Sequence, residues 1–95
     1  MIHVVGYDLI APNNRPEDYS RVIAAIKAAF NSWCHIEESV WIVDAPLDAA
    51  SVRDHLKPYL HQGDRLFVAR LQGNWATLNC GDMRNNWLKS RLVST

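Results

Sequence analysis

The chain has 95 residues, of which 48% are hydrophobic and 21% are charged, so its composition is that of a small globular domain and excludes a disordered chain. Ten basic residues balance ten acidic ones, which excludes a strongly basic nucleic-acid-binding domain and leaves only local charged patches. The apolar runs are far shorter than the roughly 20 residues of a membrane helix. Two cysteines are too few for a disulfide framework. We therefore expect one cytoplasmic domain over residues 1–95 and no membrane partner.

The first half of the chain predicts a strand, a helix and a hairpin. Residues 2–9 (IHVVGYDL) are short and rich in β-branched side chains, and the turn-forming run APNNRP follows them. Pro16 suits the first turn of a helix, and apolar residues then recur every three or four positions up to Phe30. The next stretch predicts two strands, over residues 33–36 and 39–43, with a turn at Glu37 and Glu38.

The second half predicts a helix, a strand and a short tail. Asp48 is a candidate N-cap of the helix, and Pro58 should end or kink it. Residues 65–71 (RLFVARL) predict a strand, and the tail predicts a short strand over 75–79 and a helical turn near 87–92. The order β-α-β-β-α-β predicts an α+β fold, a ferredoxin-like sandwich. Residues 1–72 would form its core, and residues 73–95 would contribute to a dimer.

The predicted strands are apolar on both faces, which bears on the oligomeric state. Strands of this kind are normally buried on both sides, whereas two helices cover only one face of such a sheet. We judge the rest of the chain too short to cover the second face. A second copy of the chain would then cover it, and the sequence predicts a homodimer.

Asp8 is the most informative polar residue because a bare carboxylate is costly near the end of an apolar strand. It shares the strand face of Ile2, Val4 and Gly6 and should lie at the rim of that face. If that face is the dimer interface, two Asp8 carboxylates approach one another, and a shared proton or a hard divalent cation such as Mg²⁺ would relieve their repulsion. The alternative is a structural role, in which Asp8 accepts hydrogen bonds from backbone N–H groups of the following turn.

Three further polar residues are candidates for a site. Arg15 stands in the same loop, directly before a helix N-terminus, where a phosphate would bind well, although an exposed surface arginine is the alternative. His35 could be a general base or a structural residue, and Ser39 stands near it in a cluster with two tryptophans. The sequence has no zinc-ligand spacing, Gly-rich phosphate loop or serine nucleophile elbow.

Four segments together resemble one protein family. They are the strand ending in Tyr7-Asp8, the arginine-bearing loop, SVWIVDAPLDAASVRDHLKPYL and DRLFVARL. About residues 1–72 resemble the Cas-two superfamily of CRISPR-associated proteins, more closely its small non-CRISPR SinR-like relatives and more distantly VapD-like toxins. The most specific pieces are Tyr7-Asp8 and the pair Ser39 and Trp41.

The resemblance implies a ferredoxin-like homodimer packed sheet to sheet, with the C-terminal segment joining the partner's sheet. It implies a metal-dependent nuclease acting on RNA or DNA, in which Asp8 of each subunit holds Mg²⁺ at the two-fold axis. Arg15 would bind a phosphate, and Tyr7, His35 and Ser39 would at most orient groups. Members of this family also serve as catalytically silent scaffolds. A dimer that only binds protein or nucleic acid is therefore the alternative. The single arginine of the loop and the neutral net charge depart from the family's pattern and weaken the case for tight nucleic-acid binding.

Overall fold

The computed structural model describes residues 1–92 of the chain, which form one α+β unit of four strands and three α-helices. In chain order the elements are β1 (Ile2–Asp8), α1 (Pro16–Ala29), β2 (Ser32–Glu37), β3 (Val40–Asp44), α2 (Ala49–Leu56), β4 (Arg65–Arg70) and α3 (Asp82–Arg91). All strands pair antiparallel in one sheet, in the order β2-β3-β1-β4. The α+β class expected from the sequence is confirmed. No helix within residues 1–92 has the length and apolar character needed to cross a bilayer.

The main core lies between the sheet and the first two helices. In β1 every second side chain points to the helices, and Val5 lies in register with Trp41 of β3 and Val68 of β4. On α1 the residues that contact this face recur at three- and four-residue steps. The most deeply buried members of this core are Val5, Val22, Ile26, Trp41, Val43, Val52 and Leu56. We call this side of the sheet the helix face.

The helix ends follow the local signals in the sequence. Helix α1 begins at Pro16 as predicted, and the Asp18 carboxylate accepts a hydrogen bond from the Arg15 backbone N–H at 3.1 Å. Asp48 caps α2, because its side chain accepts from the Ser51 backbone N–H at 2.8 Å. Pro58 lies in a 3-10 turn, Lys57–Tyr59, directly after the α-helix ends. The predicted cap and the predicted early ending of α2 are both confirmed.

The turn of the β2–β3 hairpin lies one residue later than expected. The pairing of β2 with β3 has an irregularity between His35 and Glu37, so that Glu37 rather than Ile36 lies in register with Val40. Strand β2 therefore extends to Glu37, and the turn falls at Glu38 and Ser39 instead of Glu37 and Glu38.

The C-terminal segment differs most from expectation. The strand predicted over residues 75–79 is wrong, since that stretch has no regular secondary structure. Its turns need positive φ angles at Gly73 (76°) and Gly81 (88°), which break any extended run. Helix α3 then begins at Asp82, five residues before the expected helical turn, and continues to Arg91.

Helix α3 packs on the second face of the sheet, and this corrects the argument that the chain is too short to cover that face. Four residues are buried there, and the Trp75 indole N–H donates to the Leu92 carbonyl at 3.4 Å. These four are Cys34, Ile42, Leu88 and Leu92. The part of the second face that remains open comprises the end of β1 and the outer strand β4, where Phe67 is 66% exposed.

Truncating Leu88 tests whether α3 belongs to the fold. Leu88 is 4% exposed, whereas Met83 on the same helix is 86% exposed. We expect Leu88→Ala to lower the free energy of unfolding by about 2–4 kcal/mol, because a buried leucine loses its packing and leaves a cavity. Met83→Ala should change it by no more than about 0.5 kcal/mol. Urea unfolding of both variants measures this, and equal stabilities would contradict the packing of α3 on the sheet.

Candidate functional site

A shallow groove opens on the uncovered part of the second face, where β1 ends between β3 and β4. It encloses about 380 Å³. We call it the Asp8 groove, and it is lined by Gly6, Tyr7, Asp8, Ser39, Val40, Arg65, Leu66 and Phe67. Gly6 forms part of the floor, and a Cβ at this position would have the Ser39 carbonyl as its nearest atom, at 3.9 Å. A Cβ at Gly6 would therefore meet this carbonyl at an ordinary van der Waals distance.

Asp8 lies at the rim of the second face, as the alternation of β1 predicts. The side chain is exposed, and its register partner on the neighbouring strand is Arg65. Within residues 1–92 the Asp8 carboxylate takes part in none of the ion pairs. An exposed carboxylate without an internal partner is available to a cation or to a ligand.

The structural role considered for Asp8 is filled by a different carboxylate, that of Asp64. Asp64 accepts the Ile10 backbone N–H at 2.8 Å on one oxygen and the His61 backbone N–H at 2.9 Å on the other. Its side chain is only 1% exposed. Asp64 thus joins the turn after β1 to the turn before β4. The side-chain acceptor for the turn after β1 is therefore Asp64 and not Asp8, the last residue of β1. Asp64 was missed because its partner Ile10 is 54 residues away in sequence.

Two other groove residues were also missed at the sequence level, Arg65 and Phe67. Strand β4 pairs with β1 so that Arg65 faces Asp8 and Phe67 faces Gly6, which places both side chains on the face of Asp8. Arg65 is exposed and Phe67 is 66% exposed. A cation and an aromatic ring therefore flank the carboxylate, an arrangement that only the pairing of strands distant in sequence creates.

Two other predicted site residues line the groove with Asp8: Tyr7, whose side chain points to the helix face, and Ser39. The Ser39 carbonyl accepts a hydrogen bond from the Tyr7 backbone N–H at 3.1 Å, which ties the hairpin turn to the end of β1. The Ser39 side chain adds a hydroxyl, which can both donate and accept a hydrogen bond.

Tyr7 and His35 point to the helix face, opposite Asp8. The Tyr7 hydroxyl accepts a hydrogen bond from the Trp41 indole at 3.2 Å, and its ring packs near Tyr19. Burial raises the pKa of Tyr7 above its usual value. The His35 ring stacks on Trp41 with ring centroids 4.0 Å apart, and its Nε2 lies 3.0 Å from the Glu38 carbonyl. Both side chains belong to the packing around Trp41.

Arg15 is held by its own helix and is absent from the groove wall. Its Nε lies 3.2 Å from a Glu17 carboxylate oxygen and 3.7 Å from one of Asp18. Two carboxylates thus already balance this guanidinium, which reduces its availability to a phosphate. The arginine that lines the groove with Asp8 is Arg65, which lies in register with it on the next strand.

The donors present fit Mg²⁺ in part. Within residues 1–92 no group of three or more His, Cys, Asp or Glu side chains is placed to hold a metal ion. Mg²⁺, however, is commonly held by one or two carboxylates together with water and substrate phosphates. The exposed Asp8 carboxylate fits such a site as one protein ligand, and water, a second copy of the chain or the substrate would supply the further ligands.

Comparison with known families gives no assignment: no protein-family model matches the chain. The resemblance to the Cas-two superfamily stays a prediction.

Alanine substitution at the two aspartates separates their roles. Asp64→Ala should lower the free energy of unfolding by about 2–3 kcal/mol, because two backbone N–H groups lose a buried charged acceptor. Asp8→Ala should change it by less than about 0.5 kcal/mol, since the exposed carboxylate has no internal partner. Chemical unfolding with and without Mg²⁺ measures both, and a large loss for Asp8→Ala in the absence of metal would restore the structural role of Asp8.

Proposed function

We propose that this chain is a Mg²⁺-dependent nuclease that hydrolyses phosphodiester bonds of RNA or DNA as a homodimer. The observation that carries the proposal is the Asp8 carboxylate, which lies exposed and without an ion pair in an open groove, with Arg65 in register on the next strand. A solvent-facing carboxylate beside a cation suits a site that holds a metal ion and a phosphate together.

Each groove residue has a distinct role in this proposal. Asp8 is the protein ligand of Mg²⁺, which when bound supplies an activated water and neutralises charge on the phosphate. Arg65 binds a non-bridging phosphate oxygen through its planar guanidinium. Ser39 hydrogen-bonds the sugar-phosphate backbone from the opposite wall.

The homodimer completes the metal site, because a single carboxylate is a sparse ligand set. A second copy placed on the open part of the second face would bring its own Asp8 to the two-fold axis. Phe67 supports this placement, since it is 66% exposed on the same face and lies in register with Gly6. Helix α3 covers the β2 and β3 side of that face and leaves this part open to a partner.

We also propose that the fold is ferredoxin-like and that the chain is related to the Cas-two superfamily. The strand order β2-β3-β1-β4, the antiparallel pairing of all neighbours and the β-α-β-β-α-β chain order support the fold. The tyrosine and aspartate that end β1 support the relationship. A cytoplasmic location is part of the same proposal, and the free thiols of Cys34 and Cys80 are compatible with it.

A dimer that binds protein or nucleic acid without cleaving it is the second candidate function. It is favoured because each chain contributes one acidic side chain, Asp8, to the groove, and a single carboxylate is a sparse ligand set for a metal ion. The two functions make different predictions for Asp8: catalysis depends on its carboxylate, whereas a binding surface centred on Phe67 does not.

Cleavage by the Asp8→Ala variant tests the nuclease. We expect the wild type to cleave labelled single-stranded RNA, single-stranded DNA or duplex DNA with Mg²⁺ and to stop with EDTA. Asp8→Ala should lose at least about 100-fold in rate, because the metal loses its protein ligand. Asp82→Asn, which removes an exposed carboxylate on α3, is the matched control and should keep the wild-type rate.

Two outcomes of the same assay would contradict the nuclease proposal. Cleavage that persists in Asp8→Ala at the wild-type rate would assign the activity to another site or to a contaminant. A correctly folded wild type that cleaves none of the three substrates would leave the binding dimer as the function.

Charge introduced at Phe67 tests the dimer interface. Phe67→Glu should shift the mass measured by light scattering from dimer to monomer, because an ionised side chain would have to be buried between the copies. Ala24→Glu is the control, since Ala24 is exposed on α1, which packs on the opposite, helix face of the sheet. A wild type that is monomeric at all concentrations would contradict the paired Asp8 carboxylates.

A further inference from the structure

A cavity of about 240 Å³ lies at the outer edge of the sheet, between β2 and the first half of α3. We call it the Trp87 pocket. Helix α3 packs on the second face next to β2 and so brings together two stretches of chain that are distant in sequence. The residues that line the pocket are Trp33, Cys34, His35, Met83, Arg84 and Trp87. None of them belongs to the Asp8 groove.

The wall of the Trp87 pocket carries no negative charge. Within the described part of the chain no acidic residue lines the pocket, and the nearest ones in sequence, Glu37 and Asp82, are exposed to solvent. Two wall residues are half-buried tryptophans, and a third, Cys34, is buried. Burial raises the pKa of the Cys34 thiol above its usual value, so the thiol stays uncharged at neutral pH.

Arg84 gives the same wall a fixed positive charge. Its Nε donates to the His35 carbonyl at 2.6 Å and its Nη1 donates to the Cys80 carbonyl at 3.1 Å. These acceptors are neutral, so they orient the guanidinium without balancing its charge. Arg84 takes part in none of the ion pairs within residues 1–92. The Nη2 group donates to neither carbonyl and is left for an anion.

Two further cations lie beside the tryptophans of the wall. The Lys27 ammonium is 5.1 Å from the centre of the Trp33 ring, and Lys27 is absent from the ion pairs of residues 1–92. The Arg91 guanidinium lies over Trp87 at 4.4 Å, but a carboxylate oxygen of Asp44, 3.6 Å away, balances its charge. Arg84 and Lys27 thus leave an excess of positive charge at the pocket, which favours an anionic ligand.

The volume and the aromatic residues of the pocket restrict this anion further. Ligand sites commonly enclose about 300–1,000 Å³, so a cavity of about 240 Å³ suits a small molecule. Aromatic rings gain interaction energy with one another beyond the burial of their surface, which favours an aromatic ligand next to two tryptophans. A carboxylate is the anion that matches the planar guanidinium of Arg84 within so small a volume.

We propose that the Trp87 pocket is a binding site for a small aromatic carboxylate. The ring of the ligand packs against Trp33 and Trp87, and its carboxylate accepts hydrogen bonds from the Arg84 guanidinium. Lys27 attracts the anion from the margin of the pocket. The inference goes beyond the proposed nuclease and does not depend on it, because the pocket and the Asp8 groove have no residue in common.

Titration of the full chain with para-fluorophenylacetate tests the site, with fluorine NMR of the ligand and backbone amide shifts of the protein as readouts. We expect saturable binding with a dissociation constant of about 1 mM or lower and the largest amide shifts at Cys34, Arg84 and Trp87. The neutral amide of the same shape, para-fluorophenylacetamide, should bind about tenfold more weakly, because it lacks the charge-assisted hydrogen bond. Acetate, which has the charge but no ring, should also bind at least about tenfold more weakly.

Three variants place the ligand in the Trp87 pocket. Arg84→Gln should weaken binding of the carboxylate about tenfold and leave binding of the amide unchanged, so that the preference for the charged ligand is lost. Met83→Glu should also weaken binding of the carboxylate, because it adds a negative charge to the wall at a side chain that is 86% exposed and not needed for folding. Arg70→Gln removes an exposed arginine of β4 that does not line the pocket, and this control should bind as the wild type does.

Each other outcome would overturn a part of the proposal. Equal affinity of the carboxylate and the amide, or unchanged binding by Arg84→Gln, would overturn the recognition of an anion by Arg84. Acetate that binds as tightly as the aromatic acid would overturn the need for a ring. No saturable binding, or amide shifts centred on the Asp8 groove, would overturn the site itself and leave the nuclease proposal untouched.

Discussion

The alternation of side chains along β1 is the constraint on which the rest of the structure depends. His3, Val5 and Tyr7 point to the helix face and are buried, so that Ile2, Val4, Gly6 and Asp8 must point to the other face. A shift of one residue in the register of β1 would bury Asp8 against the helices and expose Val5. The buried half of the strand thus keeps the carboxylate outside, and the neighbours of β1 on both sides supply the walls of the groove.

A division of roles between two aspartates follows from this arrangement. Asp64 is buried and makes the hydrogen bonds that join the two turns at this end of the sheet, while Asp8 is exposed and makes no ion pair within residues 1–92. Because Asp64 makes the side-chain hydrogen bond to the turn after β1, Asp8 is not needed to stabilise that turn. A site that binds a cation and a phosphate needs such a carboxylate, held by a rigid strand but with its oxygens open to solvent.

Features set by neighbouring residues, such as helix starts and caps, could be predicted from the sequence. Contacts set by the pairing of distant strands could not. The start of α1 at Pro16, the cap at Asp48 and the face of Asp8 depend on neighbouring residues, and the structure agrees with each. The partnership of Asp8 with Arg65 depends on which strands pair and in which register, information that no short window contains. Helix α3 was largely missed because only a few of its residues are apolar, so its periodicity is weak although Leu88 is buried.

The proposed function requires Asp8 to act as a carboxylate ligand of a metal ion. The most direct test is paramagnetic broadening of backbone amide signals in an NMR titration of the full chain with Mn²⁺ as a substitute for Mg²⁺. We expect broadening first at Gly6, Asp8, Arg65 and Phe67, and its loss in Asp8→Asn. Broadening centred on other carboxylates, such as Asp54 or Asp82, or no site-specific broadening at all, would contradict the account.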